Sequence, residues 1–206
     1  KGLVVEPYLA NIVLAGGILR RAASAGQKEQ WLQPIIAGEL QSALAYAEPQ
    51  SRYDIADIRT TATADGDGWV LNGEKAWITN GTIADVAVVW ARTDEGVRGF
   101  LVERGAEGFS TVEHHGKYSL RASVTSQLVF TDCRIPADAV LPGTDGLRCA
   151  LGCLNQARYG IAWGAVGAAM ACFDEALEIG CLDLQSRVYP RPIRDAPPKE
   201  LSNLAG

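Results

Sequence analysis

From Ser42 to about Pro142 the chain is cut into short runs rich in β-branched and aromatic residues: ALAYAEP, IRTTATA, GWVLNGEK, ADVAVVWART, RGFLVERG, FSTVEHHG and SQLVFTDCRIP, split by Gly, Pro and Asp. Runs of that length and composition read as strands, and their succession predicts a compact all-β unit. Asp65-Gly66-Asp67-Gly68 reads as a hairpin turn, because Gly tolerates positive φ there. As a calcium loop it lacks the downstream Glu that would supply a bidentate ligand. The flanks carry a different period. Residues 3–22 are dense in Leu, Val, Ile and Ala, and QKEQWLQPIIA at 27–37 has apolar residues near helical spacing. Two helices are therefore expected, joined around Ser24 to Gly26, with Ser24 as N-cap, Gln27 completing a capping box, and Pro34 weakening the second helix near its end. A long helix is expected from near Asp145 to about Gly180, with Leu147, Leu151, Leu154, Ile161, Ala165 and Val166 along one side. Gly160, Gly164 and Gly167 each cost such a helix about 1 kcal/mol relative to Ala, which suggests backbone pressed close to a neighbour. The final 24 residues hold four of the nine prolines, so the tail is expected to be irregular. The predicted class is α+β: N-terminal helices over residues 1–40, a central antiparallel β-barrel or sandwich over 41–143, and over 144–206 the start of a C-terminal helical bundle with an irregular tail.

Composition narrows the function classes. With 48% hydrophobic and 21% charged residues the 206-residue chain suits a packed globule. A net charge of -5 with 19 scattered basic residues leaves no electrostatic footprint for nucleic acid. The five cysteines are odd in number and show no paired C-x-x-C spacing, so neither a disulfide framework nor a zinc site is suggested. His114 and His115 are adjacent and on a strand would point to opposite faces, which predicts no metal site. Neither a signal peptide nor a membrane helix is read, and the expected setting is a reducing interior compartment. G-x-G-x-x-G after a strand, a Walker phosphate loop and G-x-S-x-G are all missing.

The segment AWITNG, Ala76 to Gly81, raises a question that patterning alone leaves open. It sets a Trp, a Thr and an Asn side by side where a pleat could bury only some of them. Trp77 can be a core residue and Thr79 a strand hydroxyl, or the pair can face a ligand. Glu48-Pro49 can be no more than a rigid turn. Arg158 follows Leu154 by four residues and precedes Ile161 by three, which puts it on the apolar side of the long helix. A guanidinium there is costly unless something anionic faces it, whether a ligand or a structural partner.

Taken in order, AYAEPQSRYD, NGEKAWITNG, ADVAVVWART, RGFLVERG, GKYSLRAS, VFTDCRIPADAVLPG and CLNQARYGIAWGAVGAA resemble the acyl-CoA dehydrogenase family. The similarity runs from residue 27 to about 180. Residues 84–165 look most like the glutaryl-CoA dehydrogenase branch. VVEPYLANIVLAGG and EPQSRYDIAD look more like a bacterial branch acting on longer or dicarboxylic acyl-CoAs. An Arg-Ser pair that holds substrate in the glutaryl branch aligns with Val5 and Glu6, which do not match it. The resemblance implies FAD as cofactor. Trp77 and Ile78 would then lie against the isoalloxazine, with Thr79 near its N5, and the other edge would be met by Leu44, Tyr46 and Ala47. Ala47 stands where many members have Thr, and Gln50, Ser51, Arg52 and Tyr53 are bulkier than the family's usual residues. Asn155 and Arg158 would serve the substrate, Asn155 at the pantetheine arm of CoA.

The activity so implied is α,β-dehydrogenation of an acyl-CoA thioester, in fatty acid or dicarboxylic acid catabolism. Electron-transferring flavoprotein would be the acceptor, and the assembly a homo-oligomer, the family tetramer. Such a protein would sit in the bacterial cytoplasm, or in the mitochondrial matrix if eukaryotic. No catalytic residue is assigned here, because the family's Glu base comes from a C-terminal helical domain beyond this sequence. Arg187 in the tail is no secure match to a family Arg that reaches a neighbouring flavin. The chain is thus expected to be truncated at both ends and inactive alone. The alternatives are a non-catalytic scaffold or partner subunit on the same fold, and an acyl-CoA oxidase.

Overall fold

The structure, a computed structural model, describes residues 8–51, 54 and 56–188, with side chains up to residue 180. Val5, Glu6, Arg52, Tyr53, the Arg187 side chain and the proline-rich tail lie outside what it describes. Among the described residues, those up to Gly160 form one compact unit and those from Ile161 onward belong to a second.

Leu9–Gly16 is wound in wide π turns and continues as α1, Gly17–Ala22. Ser24 starts the next helical stretch as expected. Its hydroxyl accepts from the Gln27 N–H at 3.2 Å, and its own N–H donates to Gln27 Oε1 at 2.9 Å. The stretch runs as α2, Ala25–Gln27, then π turns over Lys28–Leu32, then α3, Gln33–Ala37. Pro34 falls near the end of this continuous stretch, where the wider π turns give way to α3, four residues before the left-handed Gly38.

Seven strands follow: β1 Ser42–Ala45, β2 Thr61–Asp65, β3 Gly68–Thr79, β4 Val86–Thr93, β5 Gly96–Glu103, β6 Phe109–Glu113 and β7 Thr125–Pro136. They run β1-β4-β2-β3-β7-β6, with β5 on the other edge of β4. Most pairs are antiparallel, as predicted, and Asp65↔Gly68 closes the β2–β3 hairpin on the expected turn. β1 and β4 pair in parallel, since alternation along a strand assigns faces but does not choose a neighbour's direction. β4 explains its own apolar run. Val86, Val88 and Trp90 enter one core with α1, α3 and Leu141, whereas Ala87, Val89 and Ala91 enter a second with Phe100, Leu128 and Phe130. A strand covered on both faces has no polar side to show.

The long helix, α4, spans Arg148–Val188. In the first unit its buried stripe is Ala150, Cys153 and Ala157, one turn or two apart. Cys153 Sγ accepts from Arg21 Nη1 at 3.1 Å. The predicted apolar side is therefore corrected: Leu151 is exposed, and a small-residue stripe does the packing. A Cβ on Gly160 would meet Leu9 Cδ1 at 3.6 Å, an ordinary contact. At Gly164 and Gly167 it would meet nothing within 4 Å among the described residues, so the close approach expected of these glycines is not seen. In the second unit Ile161, Val166, Met170, Phe173, Leu177 and Ile179 are all exposed on α4.

Candidate functional site

The question posed by AWITNG is answered by one extra residue. Leu71 and Ile78 of β3 both point into the second core, with Phe100, Leu128 and Phe130, although an odd separation puts two residues of a straight strand on opposite faces. The parity is restored by a β-bulge. The β3–β7 register passes from Lys75↔Leu128 to Ile78↔Ser126, so Ala76 and Trp77 together oppose Gln127 alone. Trp77 is the pivot, at φ 61. Left-handed backbone is rare for a bulky residue and marks a place where the surroundings impose the conformation. Downstream of it Ile78 is core, while Trp77 and Thr79 are turned outward; Trp77 is 67% exposed.

Asn80 and Gly81 have separate, structural tasks. Asn80 is also left-handed, at φ 66, and its Nδ2 donates to Ser42 O at 3.3 Å. A Cβ on Gly81 would lie 2.2 Å from Ser126 Oγ, so only Gly fits. The six-residue motif thus divides into a core anchor, a turn, and two side chains presented to a surface.

That surface is one wall of a cleft of about 120 Å³ lined by Leu44, Tyr46, Ala47, Trp77, Ile78 and Thr79, together with Ala10, Leu14 and Leu154. The first six are the residues singled out from the sequence. Ala10, Leu14 and Leu154 were not, because an apolar helical residue carries no signal that separates a cleft wall from core. Among the described residues the Thr79 hydroxyl has no hydrogen-bond partner. The site therefore offers a flat indole, an aliphatic floor and a free hydroxyl, with no charged lining residue. That set suits the edge of a planar aromatic ring bearing a hydrogen-bonding heteroatom, which is the character of an isoalloxazine. The cleft is a slot, able to seat a ring edge without enclosing it.

Behind the wall lies a buried ion pair that the sequence reading did not find. Lys75 Nζ and Glu48 Oε1 are 2.6 Å apart, with side chains 0% and 2% exposed. Glu48, read from sequence as a turn residue, accepts in addition from Thr60 Oγ1 at 2.6 Å, Thr60 N at 3.0 Å, Arg59 N at 2.7 Å and Gln50 Nε2 at 2.6 Å. Burial by itself pushes the Glu48 carboxyl up, but the Lys75 and Thr60 bonds, the Lys75 charge and the Arg59 N–H outweigh it and hold the pKa at about 2. At Lys75 burial prevails over the pull of Glu48 and brings the ammonium down to about 8. Lys75 Nζ also donates to Tyr46 O at 3.3 Å, and the Ala76 N–H donates to Ala47 O at 2.9 Å. The pair therefore fastens residues 46–48 to residues 75–76, bringing the two walls of the cleft together. A lone Lys within GEKAW is the one sequence sign of it, and nothing local names its partner.

Asn155 and Arg158 do not line this cleft. Both are exposed, and Arg158 Nη1 donates to Asn155 Oδ1 at 2.7 Å. The expectation that Arg158 lies on the apolar side facing an anion is corrected: the stripe through Cys153 and Ala157 turns it outward.

Residues 43–133 match the family model described as "Acyl-CoA dehydrogenase, middle domain". The short-chain specific acyl-CoA dehydrogenase of human mitochondria is 40% identical over 174 residues, which cover 81% of this chain and 42% of that protein. The chain thus spans less than half the length of the curated relatives it matches. Among solved structures, glutaryl-CoA dehydrogenase from Mycobacterium smegmatis superposes with a TM-score of 0.84 at 46% identity, covering 91% of this chain and 48% of that one. A second structure of a glutaryl-CoA dehydrogenase from that organism, in complex with FADH2, gives 0.77 at 48% identity over 78% of this chain and 42% of that one.

Proposed function

We propose, for a chain that belongs to the acyl-CoA dehydrogenase family through its residues 43–133, that the cleft between residues 44–47 and 77–79 seats the flavin of FAD. The reaction served is α,β-dehydrogenation of an acyl-CoA thioester. The observation that carries the reading is the convergence of Leu44, Tyr46, Ala47, Trp77, Ile78 and Thr79, from two separate strand ends, on one slot with an outward indole. A bound flavin supplies the hydride acceptor, chemistry that belongs to the cofactor. The chain's own residues bind and orient it: Trp77 covers the ring, Ile78 fixes the backbone beneath it, and Thr79 offers its hydroxyl to N5. Ala47 contributes its backbone without a side-chain hydroxyl. Asn155 and Arg158, paired on the exposed side of α4, are proposed for the CoA arm and the acyl group.

The acid–base part of the reaction needs a carboxylate within reach of the α-proton. Glu48 is not that group, since five hydrogen bonds from within the fold already engage it. The base is proposed to come from protein outside residues 1–206, as are the full acyl pocket, the tetrameric assembly and the docking of electron-transferring flavoprotein. A bacterial cytoplasmic or mitochondrial matrix setting goes with this reading; no helix among the described residues is long and apolar enough to cross a membrane. The missing hydroxyl at Ala47 favours one second reading, a non-catalytic scaffold that pairs with an active subunit.

Titrating the purified protein with FAD and following flavin fluorescence and visible absorption tests the proposal. Saturable binding that weakens at least tenfold in Trp77→Ala and several-fold in Thr79→Ala is the expected result. A protein that stays colourless at millimolar FAD yet forms a stable hetero-assembly with an acyl-CoA dehydrogenase would establish the scaffold instead.

A further inference from the structure

Trp77 has a stacked neighbour that does not line the cleft. The imidazole of His114 stacks on its indole, with ring centroids 4.8 Å apart and planes inclined by 28°. The contact spans three strands: Trp77 sits on the β3 bulge opposite Gln127 of β7, and His114 directly follows Glu113, which pairs with Ser126 on the other edge of β7. His114 is held there independently of Trp77. Its N–H donates to Thr125 O at 2.8 Å, and a few residues on Lys117 Nζ bonds Thr125 Oγ1 at 2.7 Å and Ser123 O, tying the loop back to β7. The Nε2 atom is buried and has no hydrogen-bond partner among the described residues. The side chain therefore makes its contact through its ring face. Trp77 needs such a contact, because an indole 67% exposed on a strained pivot has little else to select its rotamer.

We infer that His114 is a positioning residue for the cofactor wall: by covering one face of Trp77 it fixes the indole with its other face turned to the cleft. The inference rests on the reading of that cleft as the flavin seat. It assigns to the β6–β7 loop a share in flavin binding although the loop does not line the slot.

Four proteins test it: wild type, His114→Ala, His114→Phe and Trp77→Phe. In the flavin-free proteins, subtracting the Trp77→Phe spectrum isolates the Trp77 emission and near-ultraviolet circular dichroism. His114→Ala is expected to shift that emission toward the solvent-exposed value and flatten the dichroism, and His114→Phe to restore both. With FAD added, His114→Ala should bind about three- to tenfold more weakly, the range set by one aromatic pair, and His114→Phe should return to within about twofold of wild type. The visible dichroism of the bound flavin should change in His114→Ala alone. Thermal midpoints are expected to agree, which separates positioning from general stability. An unchanged Trp77 signal in His114→Ala overturns the inference, and so does a His114→Phe protein as weak as His114→Ala. If the wild type takes up no flavin, the reading of the cleft fails, while the flavin-free spectra still decide whether His114 orients Trp77.

Discussion

Glu48 and Lys75 are where single atoms matter most. Removing one partner of a fully buried pair strands the other charge, at a cost of about 3–5 kcal/mol. Glu48→Gln should lower stability by that much in urea unfolding, and Lys75→Met combined with Glu48→Gln should recover most of it; a single mutant no worse than the double would remove the ion pair from the account. The pH dependence has a definite sign. The Glu48 carboxyl titrates at about 2 in the fold, below its usual 4.5, so its contribution is fully present above 4.5 and is lost as pH falls toward 2. Acid unfolding followed between those values should therefore be shallower in Glu48→Gln than in wild type. Trp77 poses the opposite case. A non-glycine residue at φ 61 costs about 1–2 kcal/mol, so Trp77→Gly should leave the melting temperature unchanged or raise it while flavin binding falls at least tenfold. A large drop in the melting temperature would show that the indole is a packing residue after all.

At the scale of elements, the helical stretch that opens at Ser24 is anchored by both halves of its capping box and by Gln27, whose Nε2 also reaches Asp138 O at 2.6 Å and Val140 O at 3.0 Å. Ser24→Ala should cost about 1 kcal/mol, and Gln27→Ala more, because it also leaves two carbonyls of the 138–140 turn without their donor. Chemical denaturation of the two variants would rank them. α4 beyond Gly160 is apolar on faces that the second unit does not cover, and a helix of that kind is built to be buried. The 206-residue chain by itself should self-associate with rising concentration, and Met170→Glu with Phe173→Glu should shift it toward monomer in light scattering. Both residues are more than 60% exposed, so neither change disturbs packing within its own unit.

For the whole molecule, a ligand that binds only the folded state stabilises it by mass action. FAD at a hundredfold excess over its dissociation constant should add about 2.7 kcal/mol, visible as a higher melting temperature, and a Trp77→Ala protein that binds tenfold more weakly should keep only about half of that gain at the same FAD concentration. The β unit, the Gly66-Asp67 turn and the Ser24 capping box were legible in the sequence, because each depends on local period or turn chemistry, whereas the six cleft residues, drawn from two separate segments, were picked out by the family resemblance and not by pattern. Arg158 was misplaced because helical spacing gives relative angles, and which angle faces the core is settled by the partner: here the narrow stripe of Ala150, Cys153 and Ala157 fits where a leucine face was expected. The parallel β1–β4 pair, the Glu48–Lys75 bond across 27 residues, the bulge that turns Trp77 outward and the His114 stack had no local signal. The chain's own order of residues thus determined which segments are helix or strand and which side chains were candidates for a site. Only the tertiary structure decided their facing and their partners, because both arise from contacts between residues distant in sequence, where a single inserted residue reverses the faces of a strand.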